Sequence, residues 1–384
     1  MRIITVVGTR PEIIKLSRVI AALDAAEGID HRVIHTGQNY DYELNKIFFK
    51  EMGIREPDII MDSACDKDLY SPTQVLARMM DNLDRTLAIQ KPDAILILGD
   101  TNSCVAAAYA AKRLKIPIFH MEAGNRCFDE RVPEEVNRRI VDQLSDINLP
   151  YSSIARENLL HDGLPSDRII KTGSPQNEIL SFYGDQIRAS QVLLQSNLTS
   201  NDYFVVSVHR EENCTEEKFV ELVRMLNKLA DVYKKRIVVS VHPRLRKLFN
   251  RPTSNLYDIQ GFQTIGTEMN PLVELHKPFG FFDYNKLQLD ARCVLSDSGT
   301  ITEESVLQGF PALNLRETHE RPEGMEEAAV VMTSFVNAVD RIPDAEAVQP
   351  FVPSDWSQRN ISDKVVRIIL SYVDYVNRTV WRKF

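Results

Sequence analysis

The segment Ser296-Asp297-Ser298-Gly299-Thr300, followed by Ile301-Thr302-Glu303-Glu304, has the residue types and order to hold a phosphate. The run Arg292–Leu295 reads as a strand leading into it, and a helix opens straight after. A helix N-terminus presents unpaired backbone N–H groups and partial positive charge. A turn of Ser, Gly and Thr lets a phosphate come close to those groups. Glu304 falls about one helical turn inside, where a carboxylate can hold a ribose hydroxyl. The combination fits an enzyme working on a nucleotide-linked substrate. An ordinary strand–turn–helix with a Ser/Thr cap has the same signature in isolation.

Other segments carry acid/base and cationic groups. Gly8-Thr9-Arg10-Pro11-Glu12 ends the first expected strand, and Arg10 has the reach for a pyrophosphate. Lys15 lies one turn into the next helix, as a second cation or a solvated surface lysine. Asp100 follows a strongly apolar run and precedes a good cap cluster, Thr101-Asn102-Ser103, so it reads as an acid or a helix cap. Glu122 ends another apolar run, with Ala123-Gly124 leaving room beside it. A partly desolvated carboxylate there would be raised toward useful proton transfer. Glu134 and Glu135 follow Pro133 at a helix start, with Arg138 one turn on. Glu134 is a catalytic candidate, and acidic residues in a first turn also complement the helix dipole. His209, before Arg210-Glu211-Glu212-Asn213, could donate to a leaving phosphate or sit in the core; His242 occupies a similar place. Arg321, within Glu320-Arg321-Pro322-Glu323-Gly324, suits a carboxylate or phosphate. Tyr284 could stack on a base or belong to the core. There is no GxSxG elbow and no GxGxxG fingerprint, so neither a serine nucleophile nor an NAD-type site is indicated.

These groups need a scaffold, and the chain supplies an alternation of strand-like and helix-like segments. Ile3–Gly8, His31–Thr36, Asp93–Gly99, Ile116–Glu122 and Ile147–Tyr151 read as strands, with helices at 11–23, 103–114 and 134–145. After a polar stretch at 183–202 the pattern restarts: strands at Tyr203–His209, Arg236–His242, Cys293–Ser298, Pro311–Arg316 and Val330–Thr333, a helix at Thr215–Tyr233, and a final helix at Ile361–Arg378. Continuous apolar runs such as Asp93–Gly99 are expected of parallel strands buried on both faces. The reading is α/β, with two Rossmann-like domains and an interdomain cleft. The first spans 1–175, with a helix at 362–384 packing back on it, and the second 176–361. In open α/β sheets ligands bind beyond the carboxyl ends of the strands, and the clusters Gly8–Arg10, Gly99–Thr101, Glu122–Gly124, His209–Glu211, His242–Arg244 and Asp297–Gly299 fall there.

Composition narrows the class. At 384 residues two domains are expected. A formal charge of −8 argues against a nucleic-acid binder. No apolar run reaches the roughly 20 residues of a membrane span, and the first strand is too short for a signal peptide. Cys65, Cys104, Cys127, Cys214 and Cys293 are scattered without metal spacing, as free thiols of a cytoplasmic protein would be.

Taken together, GTRPE-IIK (Gly8–Lys15), GD-T (Gly99–Thr101), EAG-R (Glu122–Arg126), PEE-NR (Pro133–Arg138), HR-EN (His209–Asn213), SDSG---EE (Ser296–Glu304) and ERPEG (Glu320–Gly324) resemble the non-hydrolysing UDP-N-acetylglucosamine 2-epimerases over nearly the whole chain. The resemblance implies two domains of the glycosyltransferase-B type and UDP in the cleft. It also implies inversion at C2 of a UDP-linked 2-acetamido sugar, through elimination of UDP and its re-addition to a 2-acetamidoglycal. It implies no metal, no NAD and no other cofactor, and a homodimer. By motif, Asp100, Glu122 and Glu134 would be the acid/base carboxylates and His209 would assist the leaving diphosphate. Arg10, Ser298, Gly299 and Thr300 would bind UDP, Glu304 its ribose, and Arg321 near the phosphates; Lys15 also matches.

Three departures bear on substrate. Thr300 stands where the family usually has Gly, Asn125 where it usually has Leu, and Arg126-Cys127-Phe128-Asp129-Glu130-Arg131-Val132-Pro133 where it has a tyrosine-serine-proline loop. These variants are similar to the capsule and O-antigen branch, which converts UDP-2-acetamido-2,6-dideoxy-L-talose to UDP-N-acetyl-L-fucosamine. UDP-N-acetylglucosamine to UDP-N-acetylmannosamine epimerisation and a glycosyltransferase of the same fold are the alternatives. Gln38-Asn39-Tyr40 replaces a Gln-His-Arg stretch tied to regulation, so allosteric activation is not expected.

Overall fold

The computed structural model describes residues 1–38, 46–62, 70–249, 269–348 and 351–383. Cys65 and the Asn39-Tyr40 part of the regulatory stretch lie outside them. Among the described residues, twelve strands form two six-stranded parallel sheets. The first contains β1 (Arg2–Val7), β2 (Asp30–His35), β3 (Ile59–Ile60), β4 (Ala94–Leu98), β5 (Ile118–Met121) and β6 (Ile147–Leu149), in the order β3-β2-β1-β4-β5-β6. The second contains β7 (Tyr203–Val208), β8 (Arg236–Val241), β9 (Val273–His276), β10 (Cys293–Ser296), β11 (Ala312–Asn314) and β12 (Val331–Met332), in the order β12-β11-β10-β7-β8-β9. Each sheet is the same doubly wound Rossmann order, with its switch point between β1 and β4 or between β7 and β10. This is the two-unit GT-B-like class expected from the sequence.

The strands form where apolar, β-branched residues run together. Ile95, Leu96 and Ile97 are fully buried, as are Phe204, Val205 and Val206, because helices cover both faces of a parallel sheet. Helix Arg10–Ala25 begins with a capping box: Thr9 caps it and Glu12 reaches back. Helix Pro72–Gln90 has the same device in Ser71 and Gln74.

The chain divides into one compact unit of 1–183 with 353–384 and another of 184–352. The sequence-based boundaries were 175/176 and 361/362. Helix Gln176–Phe182 and Tyr183 belong with the first unit, where the Tyr183 hydroxyl donates to Met52 O (2.8 Å). Residues 353–360 do too: Trp356 is buried, and Asp355 accepts from Ser153 N (3.0 Å) and Lys171 Nζ (2.6 Å). Helix Ile361–Thr379 packs against helix Arg10–Ala25. Lys364 Nζ donates to Thr172 O (3.0 Å).

Candidate active site

In the first unit the polar groups gather beyond the carboxyl ends of β1, β4 and β5. Glu122 follows β5 directly and has φ +63, a left-handed conformation that non-glycine residues seldom hold. Its Oε2 contacts Lys15 Nζ and its Oε1 accepts from Asn125 Nδ2 (3.3 Å). Lys15 is 6% exposed, so the solvated-surface reading of Lys15 is overturned. Its stem follows the buried flank of helix Arg10–Ala25, and its ammonium neutralises a carboxylate that has little water of its own. Glu122 is therefore a partly desolvated carboxylate, as its place in the sequence leads one to expect, with Lys15 as its counter-charge.

Asp100 is not a helix cap. Thr101 caps helix Asn102–Arg113, accepting from Cys104 N (3.2 Å). Asp100 instead accepts from Arg138 Nε (2.8 Å), and Arg138 Nη1 lies 3.0 Å from Glu135 Oε2. Arg138 is 4% exposed, and its guanidinium contacts both Asp100 and Glu135. Glu135 is buried and also accepts from Cys127 N (3.0 Å) and Phe128 N (3.3 Å), which anchors the loop after Glu122. Glu134, its neighbour in the first turn of helix Pro133–Leu144, is half-buried and makes no side-chain hydrogen bond or ion pair among the described residues. Arg10 opens helix Arg10–Ala25, its guanidinium 5.9 Å from the Phe48 ring centroid. Gln38 Oε1 accepts from Ser103 N (3.0 Å) and Ser103 Oγ (2.7 Å), bracing the start of helix Asn102–Arg113.

The second unit holds a phosphate-type turn between β10 and helix Ile301–Gln308. Thr300 makes no side-chain cap bond to that helix; Thr300 N and Ile301 N instead donate to Ser298 Oγ (3.4 Å) and Ser298 O (3.3 Å). Ser298 Oγ and Thr300 Oγ1 lie 3.1 Å apart, and Thr300 Oγ1 donates to Glu304 Oε1 (2.7 Å). Gln288 Nε2 donates to Glu304 Oε2 (3.0 Å), which holds this half-buried carboxylate at the rim. Gly299 sits close against the Glu320 and Arg210 side chains. A Cβ there would meet Glu320 Oε2 at 2.8 Å and Arg210 Nη2 at 2.9 Å.

Behind the turn lies a network that the sequence reading did not assign. Asp297 is fully buried and accepts from His209 N (2.9 and 3.1 Å), Arg210 N (2.9 Å) and Asn213 Nδ2 (3.1 Å). His209 Nδ1 lies 3.0 Å from Asp297 Oδ1. Burial alone would raise the Asp297 carboxyl; the His209 ring and these donors outweigh it and hold it down at about 2. His209 thus sits beside a buried carboxylate, and its ring centroid is 5.9 Å from that of His242. Glu320 is shared by Arg210 Nη2 (3.1 Å) and Arg316 Nη1 (3.0 Å). Arg321 is 4% exposed and donates to Glu303 Oε2 (3.1 Å). Of the two partners its sequence allowed, the structure shows the carboxylate. Tyr284, half-buried in helix Phe281–Asp290, packs against the cluster of Leu287 and Val294. The signals for Asp297, Arg210, Arg316 and Glu320 were within or beside the SDSG, HR-EN and ERPEG segments; what sequence could not show was which faced inward.

No group of three His, Cys, Asp or Glu residues is arranged to hold a metal among the described residues. No described helix is long and apolar enough to cross a membrane.

Comparison with known proteins accords with this chemistry. The family model described as UDP-N-acetylglucosamine 2-epimerase matches residues 21–369. The structure of UDP-N-acetylglucosamine 2-epimerase from Rickettsia bellii is 43% identical, with a TM-score of 0.86 over 100% of both chains. The Methanocaldococcus jannaschii UDP-GlcNAc 2-epimerase, solved in complex with UDP-GlcNAc and UDP, is 29% identical with a TM-score of 0.87, covering 97% of this chain and 100% of that one. A UDP-2,3-diacetamido-2,3-dideoxy-D-glucuronate 2-epimerase from Pseudomonas aeruginosa is 31% identical over 83% of this chain and 84% of its own length. The chain belongs to the UDP-N-acetylglucosamine 2-epimerase family and is a UDP-sugar epimerase, an isomerase.

Proposed function

We propose that the chain inverts C2 of a UDP-linked 2-acetamido hexose, with UDP-N-acetylglucosamine as substrate and UDP-N-acetylmannosamine as product. The observation that carries the reading is the set of differently held carboxylates of the first unit, Asp100 and Glu122 after β4 and β5 and Glu134 in the first turn of helix Pro133–Leu144, in a chain of this family. C2 bears no neighbouring carbonyl, so its hydrogen is a poor acid. An elimination solves this. One carboxylate takes the C2 proton, the electron pair forms the C1–C2 double bond, and the C1–O bond breaks as UDP leaves. UDP oxygen then re-adds to C1 while a second carboxylate returns a proton to the opposite face of C2. His209, oriented by Asp297, donates to the departing diphosphate. Arg10, Ser298, Gly299 and Thr300 hold UDP, Glu304 its ribose, and Tyr284 and His242 flank it. Lys15 and Arg138 act by holding Glu122 and Asp100, and Arg321 by holding Glu303 under the phosphate turn. The protein works as a cytoplasmic homodimer, a reading supported by the exposed Ile89 and Tyr109 on two packed helices.

One observation favours a second substrate, UDP-2,6-dideoxy-2-acetamido-L-talose going to UDP-N-acetyl-L-fucosamine. In the loop after Glu122, Phe128 is 74% exposed with φ +56. An apolar ring held outward suits a C6 methyl better than a hydroxymethyl. Incubation of each UDP-sugar in D2O, followed by proton NMR, tests both readings. Epimer interconversion with deuterium entering C2 is expected. Turnover with C2–H retained rules out elimination, and turnover of the L-talo sugar alone selects the second substrate.

A further inference from the structure

We propose that His120 is a positioning residue for the reaction. It ties the turn carrying Asp100 to the turn carrying Glu122 through contacts at both nitrogens of its imidazole. The proposal rests on the reading of Asp100 and Glu122 as proton carriers.

His120 lies within β5 and is 1% exposed. Its Nε2 is 2.8 Å from Gly99 O. A carbonyl only accepts, so Nε2 carries a proton. Its Nδ1 is 3.1 Å from Asp142 Oδ1 and 3.4 Å from Asn148 Oδ1. Asn148 Nδ2 donates to Asp142 O (3.0 Å), which turns the Asn148 oxygen toward the ring. Asp142 itself accepts from Gly124 N (3.2 Å to each oxygen) and lies 2.7 Å from Arg126 Nη1. With a guanidinium and a backbone N–H donating to Asp142, Nδ1 faces acceptors only. The charged groups around the ring are Asp142, then Arg126, then Asp162, which is 2.6 Å from Arg126 Nη2.

The ends of this chain of bonds define its purpose. Gly99 immediately precedes Asp100, and Gly124 follows Glu122 by two residues. Gly99, Glu122 and Gly124 have φ of +85, +63 and +79. Turns of this kind persist when surrounding bonds over-determine them. Gly124 cannot be replaced without disruption, since a Cβ would lie 2.1 Å from Ala155 O. One buried ring therefore fixes two turns that present two acids from neighbouring strands. Proton transfer at one carbon needs both acids held to a fraction of an ångström.

His120→Gln in the full chain, with 15N-histidine labelling of the wild type, tests this. One of the eight histidine ring signals is expected to report a proton held on Nε2 against Gly99 O. That signal should vanish in the variant. The variant's kcat should fall about ten- to hundredfold, with KM and UDP affinity at wild-type values, and the amide resonances of both Asp100 and Glu122 should move. Unchanged kcat, or movement of only one of the two amides, overturns the proposal. If the variant does not fold, the wild-type spectrum decides: an unprotonated Nε2 on His120 overturns it. A wild type that turns over no UDP-sugar would sink the functional reading, while the paired amide shifts would still decide the positioning role.

Discussion

The acidic residues of the two units are used in opposite ways. In the second unit Asp297, Glu303 and Glu320 have side chains at most 5% exposed, and each is held by donors on neighbouring segments. In the first unit Asp100 and Glu122 keep 25% and 12% exposure, and Glu134 is half-exposed without a partner among the described residues. The second set is scaffolding, which fixes donors around a turn suited to an anion. The first set retains the access to substrate that a proton carrier needs. Two adjacent pairs make the same point within single helices. Glu135 and Glu303 point inward and hold arginines, whereas Glu134 and Glu304 sit about 100° around the helix and face outward.

Breaking this comparison should affect different observables in the two units. Glu122→Gln keeps the shape and the Asn125 contact while removing the proton acceptor. Its kcat should fall about 10²- to 10⁴-fold, with UDP affinity unchanged by calorimetry. Loss of UDP binding instead would make Glu122 scaffolding too. Asp297→Asn should leave the fold less stable by about 2–3 kcal/mol at pH 7, the value of a carboxyl held near 2 against its ordinary 3.8. That contribution is fully present above about pH 4 and is lost as pH falls toward 2. Denaturant unfolding of wild type and variant should therefore converge in acid. The smallest effect is expected of Asn125→Leu, which removes one neutral donor from Glu122. A loss of about 1.4 kcal/mol corresponds to about tenfold in kcat. An unchanged rate would show that Asn125 does not set the Glu122 geometry.

Much of the scaffold was legible in the sequence. β1, β4, β7 and β8 are continuous apolar runs, and a strand covered on both faces leaves that mark. β3 is two residues long, and β9, Val-Glu-Leu-His, alternates charge with apolar groups, so neither stands out from a loop. Helix Pro72–Gln90 could have been found from its capping box. The site was legible as polar clusters after strands, because that placement is a property of sequence order. Its pairings were not. Lys15 and Glu122 are 107 residues apart, and Arg210 and Glu320 are 110 apart. Only the crossover topology brings such groups together, and only side-chain direction separates Glu134 from Glu135.

Helix Ile361–Thr379 has a consequence for how the protein comes into being on the ribosome. It covers helix Arg10–Ala25 with Val365, Ile369 and Val373, all buried. The nascent first unit must therefore wait, with apolar surface bare, until residues 353–383 have left the exit tunnel. The stretch 184–352 is contiguous and can complete its own core first. Maturation is then expected to run against chain order, with the later-made unit finished before the earlier one.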